Sequence, residues 1–206
     1  MNARPQRIGM FGGAFDPPHH AHVALAQAAV EQLELDRLLV FPTGQAWHKA
    51  RALSPAQHRL AMTRLAFAHL PAVTVDDREL HRSGPTYTVD TLTELRSQWP
   101  QAQLWLVLGA DHARALPSWS RWQQIRELAI ISIASRDDLT LDQVEFLPEI
   151  PDIQPPGGGF VRLHMPAMPV SATEIRQRVA TGQRIDHLVA PGVARYIERH
   201  HLYLAP

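Results

Sequence analysis

The chain has 206 residues, 45% of them hydrophobic and 19% charged, and its 20 lysines and arginines balance 20 aspartates and glutamates. This composition is typical of a globular protein with a buried core, and the lack of net charge argues against nucleic acid or an anionic membrane as a partner. The absence of cysteine excludes disulfides, thiolate nucleophiles and zinc-thiolate sites, and with no apolar segment long enough for a signal peptide or a membrane span, a cytoplasmic location is expected.

Strand-like and helix-like segments alternate along the chain. Short apolar segments closed by glycine or proline are predicted to be strands, and longer segments rich in Ala, Leu and Gln are predicted to be helices. The predicted strands are 7–11, 37–41, 73–75, 104–108, 128–134 and 160–165. The predicted helices are 21–33, 54–70, 88–99, 120–127, 171–180 and 191–200.

Two of these helices begin with capping signals. Ser54 and Gln57 form a capping-box pattern with proline at the first helical position, and Ser171 and Glu174 form a second one. Gly182 follows the second of these helices and is expected to end it.

The order of the elements predicts an α/β fold: a Rossmann-like, doubly wound parallel sheet with helices on both faces and a short C-terminal helical segment. We expect residues 1–206 to form a single domain. Ligands of such sheets bind outside the carboxyl ends of the strands. Gly12-Gly13 and Gly109-Ala110-Asp111 both stand at predicted strand ends, so they should be neighbours in space. Residues 137–159, rich in Asp, Pro and Gly, are predicted to be a mobile loop.

The turn after the first strand has the composition of a phosphate-binding site. Its sequence, residues 12–22, is Gly-Gly-Ala-Phe-Asp-Pro-Pro-His-His-Ala-His. Glycines let the backbone approach an anion and adopt positive φ, and the N–H groups of the following helix point at that anion. His19 and His22 are spaced to face one side of the helix and can donate to phosphate oxygens, with added charge on protonation. By itself such a pair is more often an exposed turn, and a metal-binding pair is the other alternative.

A second candidate phosphate site stands near the other end of the chain. Residues 169–176 read Pro-Val-Ser-Ala-Thr-Glu-Ile-Arg. The helix start supplies free N–H groups, Ser171 supplies a hydroxyl, and Arg176 carries the fixed fork of donors that suits phosphate. By itself this segment could be an ordinary capping box with a surface arginine.

Both segments resemble motifs of the nucleotidylyltransferase superfamily. Residues 12–22 resemble its Gly-Gly-x-Phe-Asp-Pro-x-His-x-Gly-His signature, with Ala21 in place of the usual glycine. Residues 170–176 resemble its Ile-Ser-x-Thr-x-x-Arg motif, with Val170 in place of isoleucine. Further segments resemble the nicotinate mononucleotide adenylyltransferases: His48-Lys49, Gly84-Pro85-Thr86-Tyr87-Thr88, Gly109-Ala110-Asp111, Leu116-Pro117-Ser118-Trp119, and Arg136 after a strand.

The resemblance implies an enzyme of NAD biosynthesis that joins ATP and nicotinate mononucleotide to give nicotinate adenine dinucleotide and pyrophosphate. It implies Mg²⁺ carried with ATP and no metal held by the protein alone. The residues implied in catalysis are His19, His22 and Arg176. Those implied in ATP binding are Gly12, Gly13, Ala14, Phe15, His19, His22, Gly109, Asp111, Ser171, Thr173 and Arg176. Those implied in binding the acceptor are His48, Lys49, Tyr87, Thr88, Trp119, Ser120 and Arg136.

Several alternatives stay open at this stage. The acceptor could be the amide nucleotide or phosphopantetheine, although the Tyr-Thr and Leu-Pro-x-Trp elements argue against phosphopantetheine. A nucleotide sensor without turnover, or a metal-binding protein built on the histidines, belongs to another class. Asp16 is expected to shape the turn rather than to react. Trp105 is assigned to the core, and whether the chain forms a homo-oligomer is left open.

Overall fold

A sheet of six parallel strands organises the chain in the computed structural model, which describes residues 4–44, 53–135 and 160–205. The strands are β1 Arg7–Gly13, β2 Arg37–Pro42, β3 Val73–Val75, β4 Gln103–Gly109, β5 Ile130–Ser135 and β6 Phe160–His164. The helices are α1 His20–Gln32, α2 Ala56–Phe67, α3 Thr88–Gln98, α4 Ala110–Ala115, α5 Trp122–Leu128, α6 Ala172–Ala180 and α7 Pro191–Arg199.

The strand order is β3-β2-β1-β4-β5-β6, so the direction of winding reverses between β1 and β4. These two strands pair directly, with Met10 opposite Leu106, and β1 pairs on its other side with β2. In open α/β sheets, ligands bind in the crevice at this reversal. The predicted fold class is confirmed, and the predicted closeness of the segments after β1 and β4 follows from their pairing.

The strands bury side chains on both faces of the sheet. On β1, Phe11 points to the first core, whereas Ile8 and Met10 point to the second core on the opposite face. The first core is covered by α1, α2, α6 and α7, and the second by α3, α4 and α5. Because alternate residues enter different cores, the strands read as nearly continuous apolar runs in the sequence. Trp105 is buried in the first core, as predicted.

Element types were predicted well, and two local features were not. The predicted capping box at Ser54 is wrong: α2 follows Pro55 without a side-chain cap, and the Ser54 N–H donates to Asp16 Oδ2 at 3.2 Å. Helix α4, directly after β4, was missed because its six residues are too few to show a period. The loop predicted over residues 137–159 lies outside the described part of the chain.

The cap of α6 agrees with its prediction in part. Ser171 Oγ accepts the Glu174 N–H at 3.1 Å, as a helix N-cap should. The Glu174 carboxylate, however, accepts from Arg178 Nε at 2.9 Å and therefore pairs along the helix. Gly182 has φ +70°, the left-handed conformation that ends a helix. No helix in the described ranges is long and apolar enough to cross a membrane.

Truncating a core side chain on β4 should destabilise the fold strongly. Leu106 is 1% exposed, so Leu106→Ala should lower the free energy of unfolding by about 2–5 kcal/mol through lost burial and a cavity. The matched control is Leu204→Ala, at a side chain that is 56% exposed, which should change it by less than about 0.5 kcal/mol. Urea unfolding of both variants checks this, and equal losses would contradict the assignment of the core.

Candidate active site

Open space lies over the carboxyl ends of the two strands at which the sheet reverses. A Cβ atom built on Gly12 would have no heavy atom of the described residues within 4 Å beyond its chain neighbours, and the same holds for Gly109. Gly12 is near the end of β1 and Gly109 ends β4. A ligand can therefore approach the backbone of both strands at the place where α/β sheets bind nucleotides.

The glycines of the first turn have a different role from the one expected. Gly12 and Gly13 belong to β1, and the positive φ predicted for them falls instead on Phe15, at +48°. Gly13 is needed because a Cβ there would lie 2.9 Å from the Phe15 ring. An aromatic residue in the left-handed region is strained, and such strain is common at functional sites.

The Phe15 ring packs into the protein and does not face the open space. It is 1% exposed and makes edge contacts with Phe11, Phe67 and His22, at centroid distances of 5.5, 5.9 and 5.1 Å. Phe15 was predicted to bind ATP, and because its ring is buried it can contribute only its backbone. The Phe15 ring instead packs against the His22 ring and restricts its orientation.

His19 and His22 face one another at the start of α1. Their rings stack with centroids 3.7 Å apart and planes at 27°. The His19 backbone N–H donates to His22 Nδ1 at 3.2 Å. The neutral His22 ring must therefore carry its proton on Nε2, which makes that atom a hydrogen-bond donor. The prediction that the two rings share one side of the helix is confirmed.

His19 is buried and neutral in the free protein. Its side chain is 8% exposed, and within the described part of the chain its Nδ1 atom has no hydrogen-bond partner. Burial, helped by His20, lowers the pKa of His19 to about 4. A buried ring nitrogen without a partner costs free energy in the folded protein.

The two predicted phosphate motifs meet in the folded chain. Arg176 Nη1 donates to the carbonyl oxygen of Asp16 at 2.8 Å, across 160 positions of sequence. Its Nη2 donates to Thr173 Oγ1 at 3.1 Å. The start of α6, capped by Ser171, is therefore held beside the histidine turn. The fold therefore brings together a permanent positive charge, a helix N-terminus and two imidazoles at the carboxyl end of β1.

The described residues among those predicted to bind the acceptor come from two segments on the other face of the sheet. Tyr87 caps α3 and Thr88 begins it, while Trp119 and Ser120 precede α5. Tyr87 and Trp119 are both half-buried against the second core. An ion pair between Arg121 and Asp90 ties the second segment to the first turn of α3.

Three predicted site residues lie outside the described part of the chain: His48, Lys49 and Arg136. Asp111 lies in the first turn of α4, directly after Gly109 and Ala110. Among the described residues, no group of three or more His, Asp or Glu side chains is placed to hold a metal ion.

Sequence reasoning missed a buried arginine beneath the first turn. Arg59 is 2% exposed, and its guanidinium donates to the carbonyls of Ala14 at 3.0 Å, Thr43 at 2.7 Å and Ser54 at 3.0 Å. The signal was present in α2, because Arg59 shares the helical spacing of the buried residues Met62, Thr63 and Ala66. An arginine in an otherwise buried stripe indicates a polar partner inside the protein.

A second missed group supports the segment before α3. Glu79 is 3% exposed and accepts a hydrogen bond from Thr91 Oγ1 at 2.7 Å, while Arg82 Nη1 donates to that hydroxyl at 2.8 Å. Burial raises the pKa of Glu79 to about 7, despite the opposing effect of Thr91 and Arg82. A Cβ on Gly44 would lie 2.2 Å from the Glu79 carbonyl oxygen, so only glycine fits where this segment meets the end of β2.

The sequence of the chain is similar to that of known enzymes. Residues 10–178 match the family described as cytidylyltransferase-like. A protein of Albidiferax ferrireducens described as a "probable nicotinate-nucleotide adenylyltransferase" is 56% identical over 199 residues, which cover 96% of this chain and 98% of that protein. A protein of Methylibium petroleiphilum with the same description is 40% identical over 211 residues, covering 100% of this chain and 97% of that protein.

The fold is also similar to solved structures. The nicotinic acid mononucleotide adenylyltransferase of Plasmodium falciparum, complexed with NaAD, matches with a TM-score of 0.76 over 96% of this chain and 97% of that one. The same protein complexed with APC matches with a TM-score of 0.74. Sequence identity is 19% in both cases, so these likenesses concern the fold.

The His19 ring should remain neutral well below the pH at which histidines usually titrate. In NMR spectra of the histidine rings, the His19 resonance should titrate near pH 4. That resonance is assigned as the one missing from the spectrum of His19→Gln. Because the pKa is lower in the folded than in the unfolded protein, this ring opposes folding as the pH falls from 6.5 towards 4. Over that range the wild type should lose roughly 3 kcal/mol more stability than His19→Gln. A midpoint near 6.5 would contradict the burial of this ring.

Proposed function

The chain belongs to the nicotinate-nucleotide adenylyltransferases of the cytidylyltransferase-like family, and we propose that it transfers the adenylyl group of ATP to nicotinate mononucleotide. The products are nicotinate adenine dinucleotide and pyrophosphate, in NAD biosynthesis. The observation that carries the proposal is the 2.8 Å hydrogen bond from Arg176 to Asp16, which joins two phosphate-binding motifs at the reversal point of the sheet.

The reaction is a direct displacement at phosphorus. An oxygen of the 5′-phosphate of nicotinate mononucleotide forms a bond to the α-phosphorus of ATP. The bond from that phosphorus to the oxygen bridging to the β-phosphorus breaks, and pyrophosphate leaves with the electron pair. No covalent enzyme intermediate is required, so the protein contributes position and charge stabilisation.

The histidine turn holds the phosphates near the reacting phosphorus. His22 offers Nε2–H as a donor because its Nδ1 is occupied by the His19 N–H. His19 is neutral in the free protein, and a bound triphosphate favours its protonated form because opposite charges attract. The His19 ring can therefore bind phosphate more strongly as negative charge moves onto the leaving group, and His22 contributes its Nε2 donor.

The start of α6 binds the part of ATP that leaves. Arg176 provides a charge that does not depend on pH, and the free N–H groups of the helix add the positive end of its dipole. Ser171 and Thr173 stand in the same first turn and extend this site with hydroxyl groups. Stabilising pyrophosphate as it forms lowers the barrier of the transfer.

The rest of the ATP site lies in the open space over the carboxyl ends of β1 and β4. The backbones of Gly12, Gly13, Ala14 and Phe15 contact the nucleotide on one side, and Gly109 and Asp111 border it on the other. The unfilled space above Gly12 and Gly109 supports this arrangement. Mg²⁺ would arrive with ATP and would be held mainly by phosphates and water, which suits its reluctance to lose bound water.

The acceptor binds between α3 and the turn that contains Trp119. The indole stacks on the cationic pyridine ring. The N–H groups of Tyr87, Thr88 and Ser120 hold the nicotinate carboxylate, helped by the dipole of α3. The Arg121–Asp90 ion pair supports this pocket because it joins the first turn of α3 to the segment that contains Trp119. His48, Lys49 and Arg136 complete the acceptor site in this proposal.

The enzyme works on small molecules, and we place it in the cytoplasm, where a chain without cysteine needs no oxidising compartment to fold.

Preference for the acid over the amide nucleotide tests the acceptor assignment. Pyrophosphate release from Mg-ATP should be faster with nicotinate mononucleotide, by about 10- to 100-fold in kcat/KM, because only the carboxylate forms charge-assisted bonds with the N–H groups. Equal or reversed preference would discard this acceptor and keep the nucleotidyl transfer. Release with neither nucleotide would overturn the proposed function.

Replacing one ring nitrogen tests the histidine turn. In His22→Asn the amide oxygen can still accept the His19 N–H, as Nδ1 does, while the Nε2 donor is lost. We expect kcat to fall by about 100- to 1000-fold with little change in melting temperature. The control is His69→Asn, at an exposed turn after α2. Near-normal turnover by His22→Asn would remove His22 from the mechanism.

A further inference from the structure

Asp16 connects the first turn to two distant segments. It is 3% exposed, and its carboxylate accepts from the Tyr203 hydroxyl at 2.7 Å and from the Ser54 N–H at 3.2 Å. Its carbonyl oxygen accepts from Arg176. One residue of the turn is thus held through its side chain and through its backbone by different parts of the chain.

Arg59 holds the same turn from below. Its guanidinium bridges the carbonyls of Ala14, in the turn, and Thr43, at the end of β2. Burying a guanidinium is costly unless its donors are satisfied, so its bonds to these carbonyls are strongly favoured. The Asp16 carboxylate lies near enough to favour the charged form of Arg59. The turn is therefore fixed relative to β2, and the bonds that Asp16 accepts from Arg176 and Tyr203 tie it to two C-terminal parts of the chain.

Tyr203 is held in an unusual backbone conformation. Its φ is +64°, in the region that bulky residues avoid, and its ring packs partly against the first core. Burial, together with Asp16, raises the pKa of the Tyr203 hydroxyl above its ordinary value. The hydroxyl is therefore protonated at neutral pH and donates its hydrogen bond to Asp16. A costly conformation that persists indicates that the surrounding contacts require it.

We propose that Tyr203 is a positioning residue for adenylyl transfer, acting through Asp16 to set the distance between the histidine turn and Arg176. The inference rests on the proposed function. Tyr203 contacts Asp16, which binds Arg176 through its carbonyl and stands just before His19 in the chain. Without the hydroxyl, Asp16 loses one partner and the turn can shift against α6. A displacement of about 1 Å can cost about 100-fold in rate.

The test compares two tyrosines that each lose one hydroxyl. Tyr203→Phe removes the bond to Asp16, whereas the control Tyr196→Phe removes a bond to His58 Nδ1 at 3.1 Å, between α7 and α2. We expect Tyr203→Phe to lower kcat by about tenfold or more, with the KM for nicotinate mononucleotide unchanged, because Tyr87 and Trp119 of the acceptor site pack on the other face of the sheet. Tyr196→Phe should lower the melting temperature similarly and leave kcat near the wild type.

A second measurement does not depend on activity. The ring resonances of His19 and His22 should shift in Tyr203→Phe and not in Tyr196→Phe, because only the first change reaches the turn. If Tyr203→Phe fails to fold, Asp16→Asn, which weakens the same hydrogen bond, should produce the same ring shifts. Unmoved rings, or equal kcat in the two variants, would overturn the inference. A wild type inactive with both nucleotides would instead overturn the proposed function, and the ring spectra would then decide the inference.

Discussion

The hydrogen bonds of Asp16 are the contacts on which the candidate site depends. Through its carbonyl this residue holds Arg176, and through its carboxylate it holds Tyr203 and the backbone of Ser54. A parallel sheet can align the ends of β1 and β4, but it does not determine where α6 stands above them. Packing of Ile175 in the first core and the bond from Arg176 to Asp16 together place α6 there, and they bring together phosphate-binding groups from opposite ends of the chain.

The site combines two kinds of positive group with different physical behaviour. Arg176 is always charged, whereas burial keeps His19 neutral at neutral pH in the free protein. A site of permanent charges alone would bind substrate and product phosphates about equally. Groups that gain charge as phosphate negative charge develops stabilise the transition state more than the ground state, which is the requirement for catalysis. The stacked pair His19 and His22 is suited to this role because the backbone N–H of His19 and the contact between the rings orient His22.

Buried polar groups support both halves of the site at a cost in stability. Arg59 beneath the first turn and Glu79 beneath the acceptor segment are each almost fully enclosed. Neither side chain adds apolar surface to the core. Each instead forms hydrogen bonds that hold irregular segments outside the helices and strands. Phe15 in the first turn, and Tyr203, which contacts that turn through Asp16, both have positive φ and add backbone strain. Such departures from ordinary folding rules are expected where function requires a particular geometry.

The sequence by itself determined the alternation of strands and helices, the parallel sheet, and the residues of both phosphate motifs, because local periodicity and short motifs encode these features. Only the tertiary structure decided that Phe15 rather than a glycine takes positive φ, that His19 is neutral, and that Ser54 bonds to Asp16 instead of capping α2. It also decided the partners of Arg59 and Tyr203. Burial and hydrogen-bond partners depend on segments far apart in the chain, and local spacing carries no information about which of them will meet.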